Sequence, residues 1–197
     1  MSRSAQAHKL GRHLSKVTGV TVELVYHSGK QWLVEWPDGP TRTEMRDLVA
    51  KTIEANPYHF GLMADREIRT VRMESARAWA ACAVAARRTG SLAEETRRGA
   101  VQRSALGLDR IRLGTSEPKT LEYYALTDYV ERLIETTAYP DRPSDPADAP
   151  LIEELLSAGQ RQEYRMAEIL ANELRAPKPG TGPTLRAVDA PTDTDQS

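Results

Sequence analysis

The sequence predicts an α+β fold: a small antiparallel sheet of two or three strands packed on helices, followed by a mainly helical C-terminal half. Three observations predict it. Apolar and polar residues alternate from Val20 to Trp36 about a short turn, as paired strands do. Apolar residues elsewhere recur at three- and four-residue spacing, the period of a helix. "REIRTVRM", residues 66–73, is rich enough in Ile, Thr and Val to be a strand, and a lone two-stranded hairpin is marginal in water without a third.

The elements follow in chain order. Leu10, Leu14 and Val17 predict a first helix from about Ala5 to Val17. In the hairpin, loop length decides which alternating residues share a face. A two-residue loop at Ser28-Gly29 leaves both faces half apolar. A three-residue loop of His27, Ser28 and Gly29, with glycine in the left-handed position, sorts them. Val20, Val22, Leu24 and Tyr26 then share a face with Trp32, Val34 and Trp36, while Thr21, Glu23, Val25, Gln31, Leu33 and Glu35 take the other. Only Lys30 adds a positive charge beside the two indoles, so packing is their expected role, ahead of stacking on single-stranded nucleic acid.

"PDGP" makes a turn, and Thr41 with Glu44 forms a capping box opening a helix with the stripe Met45, Leu48, Val49 and Ile53. Asn56 before Pro57 stops it. Beyond the third strand, "ESARAWAACAVAARR" is a strong helix former ended by Gly90, and Ser91 with Glu94 offers a second capping box for "SLAEETRRGAVQRSAL". A further helix is predicted from near Ser116, with Pro118 in its first turn and an apolar stripe running from Leu121 to Ile134. "YPDRPSDPADAP", residues 139–150, reads as a linker, and a last helical region divides at Gly159. Residues 176–197 are too polar to bury surface and are expected to be disordered. These elements group as an α+β domain over 1–114, a helical region over 115–175 and the tail.

Composition narrows the function classes. A single cysteine, Cys82, excludes an intrachain disulfide and a multi-cysteine zinc site, and it suits a reducing cytoplasm. No stretch has the apolar core of a signal peptide or the length of a membrane span, so a soluble cytoplasmic protein without a membrane partner is expected. Arginine far outnumbers lysine and alanine is abundant, which suggests a bacterial genome of high GC content. Net charge is −1, but residues 1–120 carry +7 and the remainder −8. That asymmetry suits an anionic partner, or two halves that neutralise each other where they meet.

No catalytic, cofactor or metal motif is expected. His8 and His13 lie about 140° apart around a helix, and neither pairs with His27 or His59 as metal ligands do. Cys82, with Trp79 one turn before it, is placed for packing. "GLDRIRLGTSEPK" lacks the spacing of a phosphate loop, and Asp141, Asp145 and Asp148 lack that of a calcium loop and are expected to be solvated. An enzyme is therefore not favoured, although groups assembled only by tertiary structure leave no local motif.

Arginine is the remaining signal. Arg87, Arg88, Arg97, Arg98, Arg103, Arg110 and Arg112 fall within residues 87–112 against three acidic residues. A helix pair joined at Gly90 would present several of them to nucleic-acid phosphates. Ala86 suits the small position of a helix-turn-helix module, but Thr89, Ser91, Thr96 and Gly99 stand where such a module buries apolar groups. The expectation is a non-enzymatic binding protein, an accessory or regulatory factor contacting nucleic acid through these arginines. The alternative is an interaction or assembly subunit that docks a partner or a second copy on the stripe from Leu121 to Ile134.

Overall fold

The computed structural model describes residues 2–28, 31–108 and 119–175. Its order is α1 (Arg3–Thr18), β1 (Glu23–Ser28), β2 (Gln31–Pro37), α2 (Arg42–Ala55), α3 (Pro57–Ala64), β3 (Glu67–Met73), α4 (Ala76–Arg88), α5 (Ser91–Ala105), α6 (Leu121–Thr136), a 3-10 turn (Pro146–Asp148), α7 (Ala149–Ala158) and α8 (Glu163–Arg175). The α+β class holds, with one correction to the sheet.

The strand order is β1-β2-β3; β1 pairs antiparallel with β2, but β3 runs parallel to it. The reason is the connection. A hairpin reverses the chain, whereas α2 and α3 carry it back across one face to start β3 beside the start of β2, as a parallel neighbour requires. The eight-residue α3, with Pro57 in its first turn, went unassigned in the sequence because it has no side-chain cap and is apolar almost throughout.

The facial sorting of the hairpin also holds, by a different device. Leu24 pairs with Val34 and Tyr26 with Trp32, and the register shifts between Tyr26 and Ser28 so that Ser28 meets Gln31. His27 and Ser28 thus belong to β1, and a bulge at His27, not a three-residue loop, keeps the apolar sets together. Trp36 is buried with Val34 among Leu10, Met45 and Phe60, and Trp32 is buried against Ala7 and Met63, beneath α1, α2 and α3. Val17, counted in the first helix's apolar stripe, is 56% exposed instead. Tyr26 is likewise at the rim, 56% exposed and edge-on to Trp32.

The first capping box forms as expected: the Thr41 hydroxyl accepts from the Glu44 N–H, and the Glu44 carboxylate accepts from the Thr41 N–H at 2.8 Å. The second does not. Gly90, at φ 80°, is itself the N-cap of α5 and has no side chain to offer. The Ser91 hydroxyl turns back to donate to Ala86 O and receives the Tyr129 hydroxyl at 3.0 Å. The α6 helix begins at Leu121 with Thr120 as its cap, later than expected; Ser116 and Pro118 lie outside the described residues, as do 176–197.

Two apolar cores result. One lies under the sheet, and the other joins α4 through α8 around Trp79, Leu126, Val130, Ile152 and Met166. α4 and α5 pack with the helices that follow, α6 to α8. Gly159 separates α7 from α8 for a steric reason: a Cβ there would stand 2.2 Å from Met166 Cγ.

Arg72 ties the two cores together. It leaves β3 only 4% exposed and donates to Ile134 O at 2.5 Å, Thr137 O at 3.0 Å and Pro40 O at 3.4 Å. It thereby caps the C-terminal end of α6, where orphan carbonyls and the helix dipole favour a cation. Burial lowers its pKa from the ordinary arginine value, and the Glu74 and Asp38 carboxylates oppose that shift. The 139–150 segment connects α6 to α7 but is not slack. Tyr139, at φ 51°, donates its N–H to Gly39 O and its hydroxyl to Thr18 O, both at 2.7 Å.

Candidate nucleic-acid interface

Most of the predicted arginine cluster is occupied by internal ion pairs. Arg87 meets Glu173 at 3.2 Å; Arg88 meets Asp148 at 3.2 Å and Asp145 at 3.3 Å; Arg103 meets Asp128. Just before the cluster, Arg77 is held the same way by Glu153. Arg98 pairs with Glu95 on its own helix. Arg97 is exposed and has no carboxylate partner among the described residues. Arg110 and Arg112 lie outside the described residues. Of the two readings of the charge asymmetry, mutual neutralisation therefore accounts for Arg77, Arg87, Arg88 and Arg103.

The acidic partners change character accordingly. Asp148, expected to be a solvated linker charge, is only 2% exposed, at the foot of the 3-10 turn that Asp145 caps. One Asp148 oxygen takes the Arg88 guanidinium and the other has no hydrogen-bond partner. The apolar stripe of α6 is filled from within as well: Leu126, Val130 and Ile134 are buried in the helical core, with α5 on one side and α8 on another. The assembly reading relied on that stripe being open.

Cationic surface free of such pairing lies instead on α1. Its sixteen residues contain Arg3, Lys9, Arg12 and Lys16 and no acidic residue. Lys9, Arg12 and Lys16 follow an i, i+3, i+7 spacing, so they line one side of the helix, opposite the buried Leu10 and Leu14. Their span is about 10 Å along the axis, comparable to the length of about three phosphates in one strand of a duplex. Arg12 and Lys16 are exposed and without an ion-pair partner among the described residues, while Lys9 Nζ lies 3.2 Å from His59 Nδ1.

His59 carries the surface onward to an aromatic ring. The Tyr58 and His59 rings meet edge-on at 5.4 Å, and Tyr58 is 91% exposed at the start of α3. The result is a chain of cations beside a bare ring on two helices that contain no carboxylate. No family model matches the protein, and no curated protein or solved structure is similar to it. In the sequence, the apolar stripe and the histidines of α1 are more conspicuous than its cations. The same periodicity applied to Lys9, Arg12 and Lys16 would have found the site.

Other groups remain apart from chemistry. Cys82 is buried, and burial raises its pKa to about 11, so the thiol stays protonated at neutral pH. No cluster of three or more potential metal ligands occurs among the described residues, and no helix among them is long and apolar enough to cross a membrane.

Among the described residues, Glu131 and Glu163 are the carboxylates held above the ordinary range. Desolvation is the largest cause for both, followed for Glu131 by Asp128 and for Glu163 by Glu74. A raised carboxylate pKa means that the folded state prefers the protonated form. Both residues remain exposed, so water screens the effect; the cost to stability at neutral pH is small and disappears as pH falls through the raised values. The double variant Glu131→Gln, Glu163→Gln should melt higher than the parent at pH 7, by about one degree, with the gain vanishing near pH 4. An equal gain at both pH values would show that charge is not its source.

Proposed function

We propose that the protein is a non-catalytic binding protein that contacts single-stranded nucleic acid through α1, with Tyr58 as the stacking ring. The observation that supports this reading is the stripe of Lys9, Arg12 and Lys16, without carboxylate partners among the described residues, continuing through His59 to the exposed ring of Tyr58. Proteins that hold single strands combine cations that follow the backbone with aromatic faces on which bases stack. The sheet contributes little directly: its two tryptophans are enclosed, and it serves as the platform on which α1 and α3 lie side by side.

Fluorescence anisotropy with a labelled oligonucleotide, titrated across salt concentrations, tests the reading. Replacing Lys9, Arg12 and Lys16 with alanine should flatten the slope of log affinity against log salt by about two units, at about 0.7 per phosphate contact. Tyr58→Ala should weaken binding about tenfold while leaving that slope unchanged. The Arg97→Ala, Arg98→Ala pair should bind as the parent does. If the intact chain binds no oligonucleotide even at low salt, the proposal is wrong. If the slope responds to Arg97 and Arg98 instead of α1, the interface lies on α5.

A further inference from the structure

We propose that the uncovered face of the sheet docks a cationic amphipathic helix of a partner protein. This surface does not depend on the nucleic-acid reading, since it lies across the sheet from α1 and α3.

The three helices that precede and link the strands all pack on one side of the sheet. Leu24, Trp32, Val34, Trp36 and Ile68 meet them there. The alternate residues point the other way, and none of them belongs to a core. The strand register sets these in rows: Val25 lies opposite Leu33, and Glu23 lies opposite Glu35, which in turn lies beside Val71. With Met73 beyond, Val25, Leu33 and Val71 make an apolar diagonal across all three strands. Val25 is 41% and Met73 56% exposed, while Leu33 and Val71 are half-buried. At the spacings of a sheet the diagonal is about 16 Å long, the length of about three helical turns. An amphipathic helix laid along it would remove this apolar surface from water.

The charge of the face selects the partner. Glu67 is held by Arg69 at 2.9 Å, but Glu23 and Glu35 stand directly across the strands from each other, and neither has an ion-pair partner among the described residues. Like charges set opposite one another destabilise a sheet, and a cation brought by a partner converts that repulsion into attraction. Other occupants fit less well. Two copies packed face to face would bring Glu35, midway along the central strand, near its own counterpart. The cationic helix α1 is excluded because its own apolar side is already in the core. Residues 109–118 rejoin the chain at the start of α6, a sixteen-residue helix whose other end meets the sheet through Arg72. Residues 176–197 carry a net charge of −1 and only Leu185 and Val188 as large apolar groups.

Fluorescence anisotropy of the intact chain with a labelled peptide of leucine and lysine, LKKLLKLLKKLLKL, tests the surface. Saturable one-to-one binding is expected. Glu35→Lys should weaken it about tenfold and Leu33→Gln about fivefold. Glu54→Lys, an equal change of net charge on α2, should bind as the parent does. Glu35→Lys should melt no lower than the parent, because a lysine opposite Glu23 replaces repulsion with attraction, so its weaker binding is not a folding defect. Dilute hydrogen peroxide locates the contact: Met73 should oxidise readily in the free chain and be protected by the peptide, with the buried Met45, Met63 and Met166 slow in both. Absence of saturable binding, full affinity in Glu35→Lys, or Met73 left unprotected by the peptide would each overturn the proposal. Dimerisation of the free chain that Leu33→Gln abolishes would assign the face to a second copy instead. Slow oxidation of Met73 in a monomeric free chain would assign it to another segment of the chain itself.

Discussion

Arg72→Ala is expected to lower the stability of the protein by about 3 kcal/mol, the scale of removing a charged donor from several buried carbonyls. For a chain of this size the melting temperature should fall by about 6–12 °C. The wild-type guanidinium holds Ile134 O and Thr137 O at the end of α6 and reaches Pro40 O before α2. Truncation removes the charged donor from Thr137 O, leaves Ile134 O with the Thr137 N–H and Pro40 O with the Trp36 indole N–H, and opens a void where the sheet core meets the helical core. Arg72→Lys keeps the charge but cannot fork between carbonyls on different elements, so it should recover only about half of the loss. Arg72→Met restores volume without donors and should behave nearly as alanine does. Denaturant titration followed by tryptophan fluorescence measures all three. A loss below about 1 kcal/mol for the alanine variant would mean that the junction does not depend on this side chain.

Trp36→Ala should cost about 4 kcal/mol, in the range for deleting a fully buried aromatic side chain. The indole is 1% exposed, and its N–H donates to Pro40 O at 2.9 Å, the same carbonyl that Arg72 approaches. Trp36→Phe should lose less, because it keeps most of the buried area and forfeits the hydrogen bond. Tyr26 is the control from the same face of the hairpin. It is 56% exposed and meets Trp32 edge-on, so Tyr26→Ala should cost about 1 kcal/mol. Comparable losses at Trp36 and Tyr26 would contradict the view of this face as a core that closes toward β2. If the nucleic-acid proposal is right, neither substitution should alter the salt dependence of binding in protein that remains folded.

Much of the fold was legible in the sequence because it rests on local chemistry. Thr41 and Glu44 cap α2 through atoms three residues apart, and alternation along β2 puts Trp32, Val34 and Trp36 on one face, the buried one. The failures were of another kind. The parallel setting of β3 and the role of Ser91 each depend on a partner distant in sequence: β2 across two helices, and Tyr129 on α6. The candidate site divided along the same line. The arginines of α4 and α5 were conspicuous as a run, but ion pairing with residues 25 to 86 positions away decided which of them stay free.

Composition and spacing alone therefore determined the α+β class, the capped start of α2 and the inward face of the hairpin, since each follows from contacts within a few residues. The tertiary structure decided where the free positive charge lies. Coulombic pairing acts through space, and only folding brings Glu173, Asp148 and Asp128 against the arginines of α4 and α5 while leaving Lys9, Arg12 and Lys16 of α1 without carboxylate partners among the described residues.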